Sequence, residues 1–191
     1  MIDLALGAIT SQLNQGLRRS FGVAEDVAVM ANILETDGQV ATLADNRIVV
    51  SLVNIERDTV SQRGSASGGG GIVRSPRTPA PVNLTLSVMF AACFASGNYA
   101  EALKFISGTA GFFQSRPVFD RQNTPELDAR IDRLALDIAN LSIADLSNLW
   151  SILSGRYVPS ILYRVRMVSV DLDQVSGQSH PITRPRIAVA G

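Results

Sequence analysis

PVNLTLSVMFAACF, residues Pro81 to Phe94, changes character midway. Its first half alternates, with Val82, Leu84, Leu86 and Val88 on one face, and its second half is apolar almost without a break. Successive side chains of a strand point to opposite sides of a sheet, so alternation marks burial on one face and a continuous apolar run marks burial on both. The stretch is therefore read as the central strand of a sheet.

Working outward toward the C-terminus, Tyr99, Leu103, Ile106, Ala110 and Phe113 recur at three- and four-residue steps. They predict a helix over Asn98–Gln114 with one apolar face, despite two interior glycines. SRPVFDRQNTPEL reads as turns, and Arg133–Leu141 as a strand with Leu134, Leu136 and Ile138 on one face. Ser142 with Asp145 forms an N-cap signature for a helix that carries Trp150 and stops at Gly155. Tyr157-Val158-Pro159 makes a turn, and Ser160–Asp171 is the last strand. Ile161, Tyr163, Val165 and Met167 lie on its core face, with Leu162, Arg164, Arg166, Val168 and Val170 on the other.

Toward the N-terminus, Ile2, Leu4, Leu6, Ile9, Leu13 and Leu17 predict a helix that ends at Gly22. Asp26–Ile33 and Arg47–Thr59 are short and β-branched, with the turn signal Asp37–Gly38 between them, and read as two strands. The Gly/Ser/Pro-rich residues 61–81 read as an inserted flap, and the tail 172–191 as an extended arm. The expected fold is α+β: one domain over residues 1–171, with a mixed sheet of about five strands flanked by helices.

Composition narrows the function. Lys+Arg and Asp+Glu are equal at 17 each, so no net field draws the chain to nucleic acid. No stretch resembles a signal peptide or is long and apolar enough to span a bilayer, so cytoplasmic assembly without direct membrane insertion is expected. Cys93 is the only cysteine, which rules out an internal disulfide.

A search for chemistry finds little. Gly68, Gly69, Gly70 and Gly71 suggest a phosphate loop, but no GK[ST] follows and Pro76, Pro79 and Pro81 stand where a helix would start, so they read as flap. His180, the only histidine, is far in sequence from Cys93, and the two cannot make a tetrahedral zinc site without carboxylates. The pairs Glu56 with Asp58, Asp128 with Asp132 and Asp171 with Asp173 are the remaining candidates for acid/base or hard-metal work, and they sit at element ends where solvated acids are ordinary. Asn83-Leu84-Thr85 and Asn140-Leu141-Ser142 match a glycosylation pattern that matters only in a secreted eukaryotic chain. No catalytic residue, cofactor or metal is expected. Trp150 reads as core more than as an interface anchor, and Arg164 and Arg166 read equally as solvated surface or as contacts for a partner's acids.

Several segments together resemble a known family. MIDLAL, IVVSLVNIERD, the run from Pro81, EALKFIS followed by FFQSRPVF, and then NLWSILSGRYVPSILYRVR are similar, in this order and spacing, to the cap or tail-terminator proteins of phage-tail-like contractile injection systems. The resemblance covers nearly all of residues 1–171. It implies a non-enzymatic ring, a hexamer, on the distal end of the inner tube, in contact with the last sheath ring, in a particle either released or kept in the cell. The flap and the arm depart from the family pattern. Two alternatives stand beside this reading: an adaptor or connector elsewhere in such a particle, and a small carboxylate-dependent hydrolase, which needs a pocket gathering two acids.

Overall fold

The computed structural model of the chain describes residues 1–34, 41–58, 82–153 and 156–169. Asp37–Gly38, the segment 61–81 with Gly68–Gly71, Gly155, and everything from residue 170 onward, including His180 and the Asp171/Asp173 pair, lie outside the described residues.

Ile2–Phe21 forms helix α1 and buries Leu6, Ile9, Leu13 and Leu17. It stops at Gly22, which takes a left-handed φ of 66° and donates its N–H to the Arg18 carbonyl. Only a residue without Cβ adopts that geometry freely. Next come strands β1 (Ala28–Met30) and β2 (Arg47–Arg57), so the predicted strand Asp26–Ile33 is regular for just three residues. The two run parallel and are not hairpin mates. Parallel neighbours need a crossover, which residues 31–46 supply.

The remaining elements are β3 (Val82–Cys93), α2 (Tyr99–Ser115), β4 (Val118–Asp120), β5 (Ile131–Ile138), α3 (Ile143–Leu153) and β6 (Ser160–Ser169). They complete a mixed six-stranded sheet of order β1-β2-β3-β6-β5-β4, in which every neighbour pair but the first is antiparallel. β3 lies inside it, between β2 and β6, as its apolar run requires.

The expected five strands become six because β4 forms inside the supposed turn region. Its three residues follow Pro117, and an Asx turn stops them: Asp120 Oδ1 accepts the N–H groups of Gln122 and Asn123, and Asn123 Oδ1 accepts that of Asp120. β5 begins two residues earlier than expected, at the fully buried Ile131. Leu134 and Leu136 are buried as predicted, but Ile138 at the strand end is 50 % exposed. The buried face of α2 is Ala102, Phe105, Ile106, Thr109 and Phe113, whereas Tyr99 and Leu103, assigned to it from spacing, are exposed.

The sheet separates two cores. On its first face α1 and α2 cover the even-numbered β3 residues Leu86, Val88, Phe90 and Ala92, with Tyr163, Val165 and Met167 of β6. On its second face Met89 and Ala91 of β3 join Val49, Trp150 of α3, and Ile33, Ala41 and Ala44 of the crossover. The central run is thus covered on both sides, as its composition predicts.

Two glycines set the contact of α1 with α2. A Cβ on Gly16 would lie 2.4 Å from the Phe112 ring, and one on Gly108 would lie 2.4 Å from the Phe21 ring, so each helix receives an aromatic side chain of the other. Gly111, also in α2, faces open space. Gly111→Ala is therefore expected to stabilise the domain by about 0.5–1 kcal/mol through helix propensity. Gly16→Ala, the same chemical change, is expected to destabilise it by about 1–3 kcal/mol, because the contact is with the root of the Phe112 ring as well as its edge. Thermal unfolding of the two variants decides the point, and equal shifts would show that Phe112 yields freely.

Phe90, Phe113 and Tyr163 meet on the first face with ring centroids 5.0–5.4 Å apart. Tyr163 is buried, its hydroxyl has no hydrogen-bond partner among the described residues, and burial pushes its pKa up to about 12. An unpaired buried hydroxyl is a net cost. Tyr163→Phe is expected to raise stability by about 1 kcal/mol, and a lower melting midpoint in the variant would mean that the hydroxyl does find a partner.

Candidate interaction surface

Among the described residues, α3 and the segments 31–34 and 41–44 are what packs on the second face of the sheet. α3 is started by the capping signature read in the sequence: Ser142 Oγ accepts the Asp145 N–H at 3.1 Å and donates to the Asp145 carboxylate at 2.6 Å. The helix is held down by Trp150, which is 3 % exposed, donates Nε1–H to Ser160 Oγ at 3.3 Å, and meets Tyr157 edge to face. Trp150 is thus a core residue with one side toward a groove.

That groove, about 380 Å³, is lined by Ile143, Leu146, Trp150 and Tyr157 with two serines. Ile143 is 88 % exposed, Ile152 82 % and Tyr157 62 %. Asp145, tied to Ser142, is the helix's only charged residue. The helix is amphipathic, with Ser147, Asn148 and Ser151 on one flank, yet Ile143 and Ile152 place apolar surface in solvent.

Beyond α3 the same face is polar. Cross-strand register places Asn54, Ser87, Arg164 and Asp137 in one row and Glu56, Thr85 and Arg166 in the next. These rows line a concavity of about 420 Å³ with three acids, Glu56, Asp58 and Asp137, and three arginines, Arg57, Arg164 and Arg166.

The two arginines singled out from the sequence share this face and are both exposed, but they differ. Asp137 stands directly across from Arg164, yet its carboxylate bonds the diagonal neighbour Arg166 at 2.5 Å. Asp137, and more weakly Asp58, raise the Arg166 pKa above its ordinary value. Arg164 has no ion pair or side-chain hydrogen bond among the described residues. Sequence reasoning missed this difference, since the deciding acid lies on another strand.

The acids are not arranged for acid/base work. Asp137 is ion-paired with Arg166, and Glu56 accepts a hydrogen bond from Asn54 at 3.0 Å. Asp128 receives a two-pronged bond from Arg130, which lowers its pKa to about 2, the opposite of what a general acid needs. Burial pushes the Cys93 thiol up to about 11, so it stays protonated at neutral pH and is a poor nucleophile. Among the described residues no three metal-ligating side chains converge, and no helix is long and apolar enough to cross a membrane.

The family described as the Pvc16 N-terminal domain matches residues 6–184. No curated protein sequence matches the chain. Among solved structures, the sheath/tube terminator of an extracellular contractile injection system, PVC, in its extended state, aligns over 100 % of this chain and 64 % of its own, with a TM-score of 0.60 and 21 % identity. The tube-terminating cap of the anti-feeding prophage aligns over 95 % of this chain and 60 % of its own, with a TM-score of 0.56 and 17 % identity. The chain therefore spans less than two thirds of the length of either structure it matches.

Proposed function

The chain belongs to the Pvc16 N-terminal domain family, and from that membership we propose that it is a structural cap that closes the distal end of the inner tube in a contractile injection system. In this reading copies of the chain form a closed sixfold ring, assembled in the cytoplasm, that seats on the last tube ring, touches the last sheath ring, and catalyses nothing. The family match over residues 6–184 is the observation that carries it. The fold shared with two terminators supports it, as does a second face on which α3 exposes Ile143 and Ile152 among the described residues.

The physical logic is that of head-to-tail growth. A stacking subunit offers two different faces and adds without limit, so growth ends when a ring matches the tube on one face only. A chain of zero net charge with an exposed apolar helix suits packing against protein. Trp150 positions that helix, Arg164 supplies the polar half of the contact with Arg166 holding Asp137 beside it, and residues 61–81, including Gly68–Gly71, together with 172–191 extend it to neighbouring subunits.

Deletion of the gene in a particle-producing cell tests the proposal. The expected outcome, seen by electron microscopy, is a broad distribution of particle lengths or sheaths detached from their tubes. Particles of normal length with attached, contractile sheaths would instead favour a connector role elsewhere in the particle.

A further inference from the structure

The apolar groove and Arg164, unpaired among the described residues, adjoin on one face, and together they specify what lies on them. Trp150 is bonded to Ser160 at the start of β6, Leu162 continues the apolar cluster under α3, and Arg164 is the next residue on that face. Four residues of strand separate Ser160 from Arg164, about 13 Å, and α3 itself is about 16 Å long. A single segment of a partner can therefore meet both.

The chemistry asked of that segment follows from what is unsatisfied. Ile143 and Tyr157, which line the groove, are exposed, and none of the groove's described lining residues is charged. Arg164 keeps its five N–H donors, while the acid across from it is spent on Arg166. The concavity as a whole is charge-balanced, so it exerts no long-range pull and the recognition is local. A guanidinium fork bonds a carboxylate by two parallel hydrogen bonds.

We propose that the α3 groove and Arg164 form one docking site for a segment of a non-identical protein subunit, which places a large apolar side chain between α3 and Tyr157 and a carboxylate on Arg164. Arg166 is outside this recognition pair; it holds Asp137 away from Arg164 and so keeps the fork open. The site deepens the cap reading by naming the chemistry of the partner's contact.

A photo-reactive benzoylphenylalanine in place of Ile143, which is exposed and lines the groove, irradiated in particle-producing cells, tests it. The cross-linked peptide, identified by mass spectrometry, is expected to come from a different protein and to carry an Asp or Glu near the attachment point. Arg164→Glu in the same background is expected to lower cross-link yield about tenfold, the loss of one charge-assisted contact worth 1.4 kcal/mol. Changing the partner's acid to Arg is expected to restore it, while circular dichroism of the Arg164→Glu variant stays that of the parent. No cross-link, a cross-link to another copy of this chain, or a charge swap that fails to rescue would each overturn the proposal. A rescued cross-link to a protein outside tube and sheath would keep the docking site and sink the cap reading, so the two fail separately.

Discussion

Replacing Trp150 with alanine is expected to cost the domain about 3–5 kcal/mol, while Ile152→Ser, two residues along the same helix, is expected to change stability by no more than about 0.5 kcal/mol. The two side chains are both large and apolar, and a hydropathy profile does not tell them apart. Trp150 is buried against Met89, Ala91 and Val49 and bonded to Ser160; Ile152 is exposed. Truncating Trp150 removes transfer energy, opens a cavity beneath α3 and leaves Ser160 without its donor, and all three effects act in one direction. Since Trp150 is the only tryptophan, unfolding has to be followed by far-ultraviolet circular dichroism in urea. With a slope of about 1–3 kcal/mol per molar for urea, the Trp150 variant should lose one molar or more of midpoint. Equal midpoints for the two variants would show that α3 is not anchored through Trp150.

Asn14→Leu is expected to destabilise by about 2–5 kcal/mol, although it exchanges a polar residue at a buried position for an apolar one of similar size. Asn14 is 7 % exposed, on the sheet side of α1. Its Oδ1 accepts the Ala28 N–H at 2.8 Å and its Nδ2 donates to the Ala28 carbonyl at 2.9 Å. β1 is the outermost strand, and the outward-facing backbone groups of Ala28 have no further strand to bond. The side-chain amide acts as one residue of an extra strand and closes the edge. Leucine leaves two buried backbone groups unpaired, at about 1–3 kcal/mol each. The contrast with Tyr163→Phe is the informative one: removing a polar atom that bonds nothing helps, and removing one that completes a backbone pair harms. A melting midpoint for Asn14→Leu at or above that of the parent would mean that Ala28 finds other partners.

Neither effect is visible in periodicity. Asn14 falls outside the apolar stripe read for α1, and its partner is fourteen positions away in a strand of three residues. The α2 face was misplaced for a related reason. Two neighbouring stripes of that helix carry apolar residues, one through Tyr99 and Leu103 and one through Phe105 and Phe113, and the packing of α2 on α1 and on the sheet selects between them. Gly16 and Gly108 belong to the same choice: in the sequence they are helix weaknesses, and in the fold they are the sockets for Phe112 and Phe21. For the candidate surface, the sequence put Arg164 and Arg166 on one face, but not which of them Asp137 engages.

What the sequence by itself determined is everything that rests on short-range geometry. Side-chain period, 3.6 in a helix and 2 in a strand, follows from the backbone alone, so α1, β2, β3, β6 and the two faces of the central strand could be read directly. The Ser142–Asp145 cap and the Gly22 stop involve bonds between residues three or four apart, and they formed where expected. Only the tertiary structure decided the strand order, the parallel pairing of β1 with β2, the existence of β4, the sealing of the edge by Asn14, and the diagonal pairing of Asp137 with Arg166. In each of these a group chooses among partners distant in the chain, and the choice depends on loop closure, burial and competition that no local pattern records.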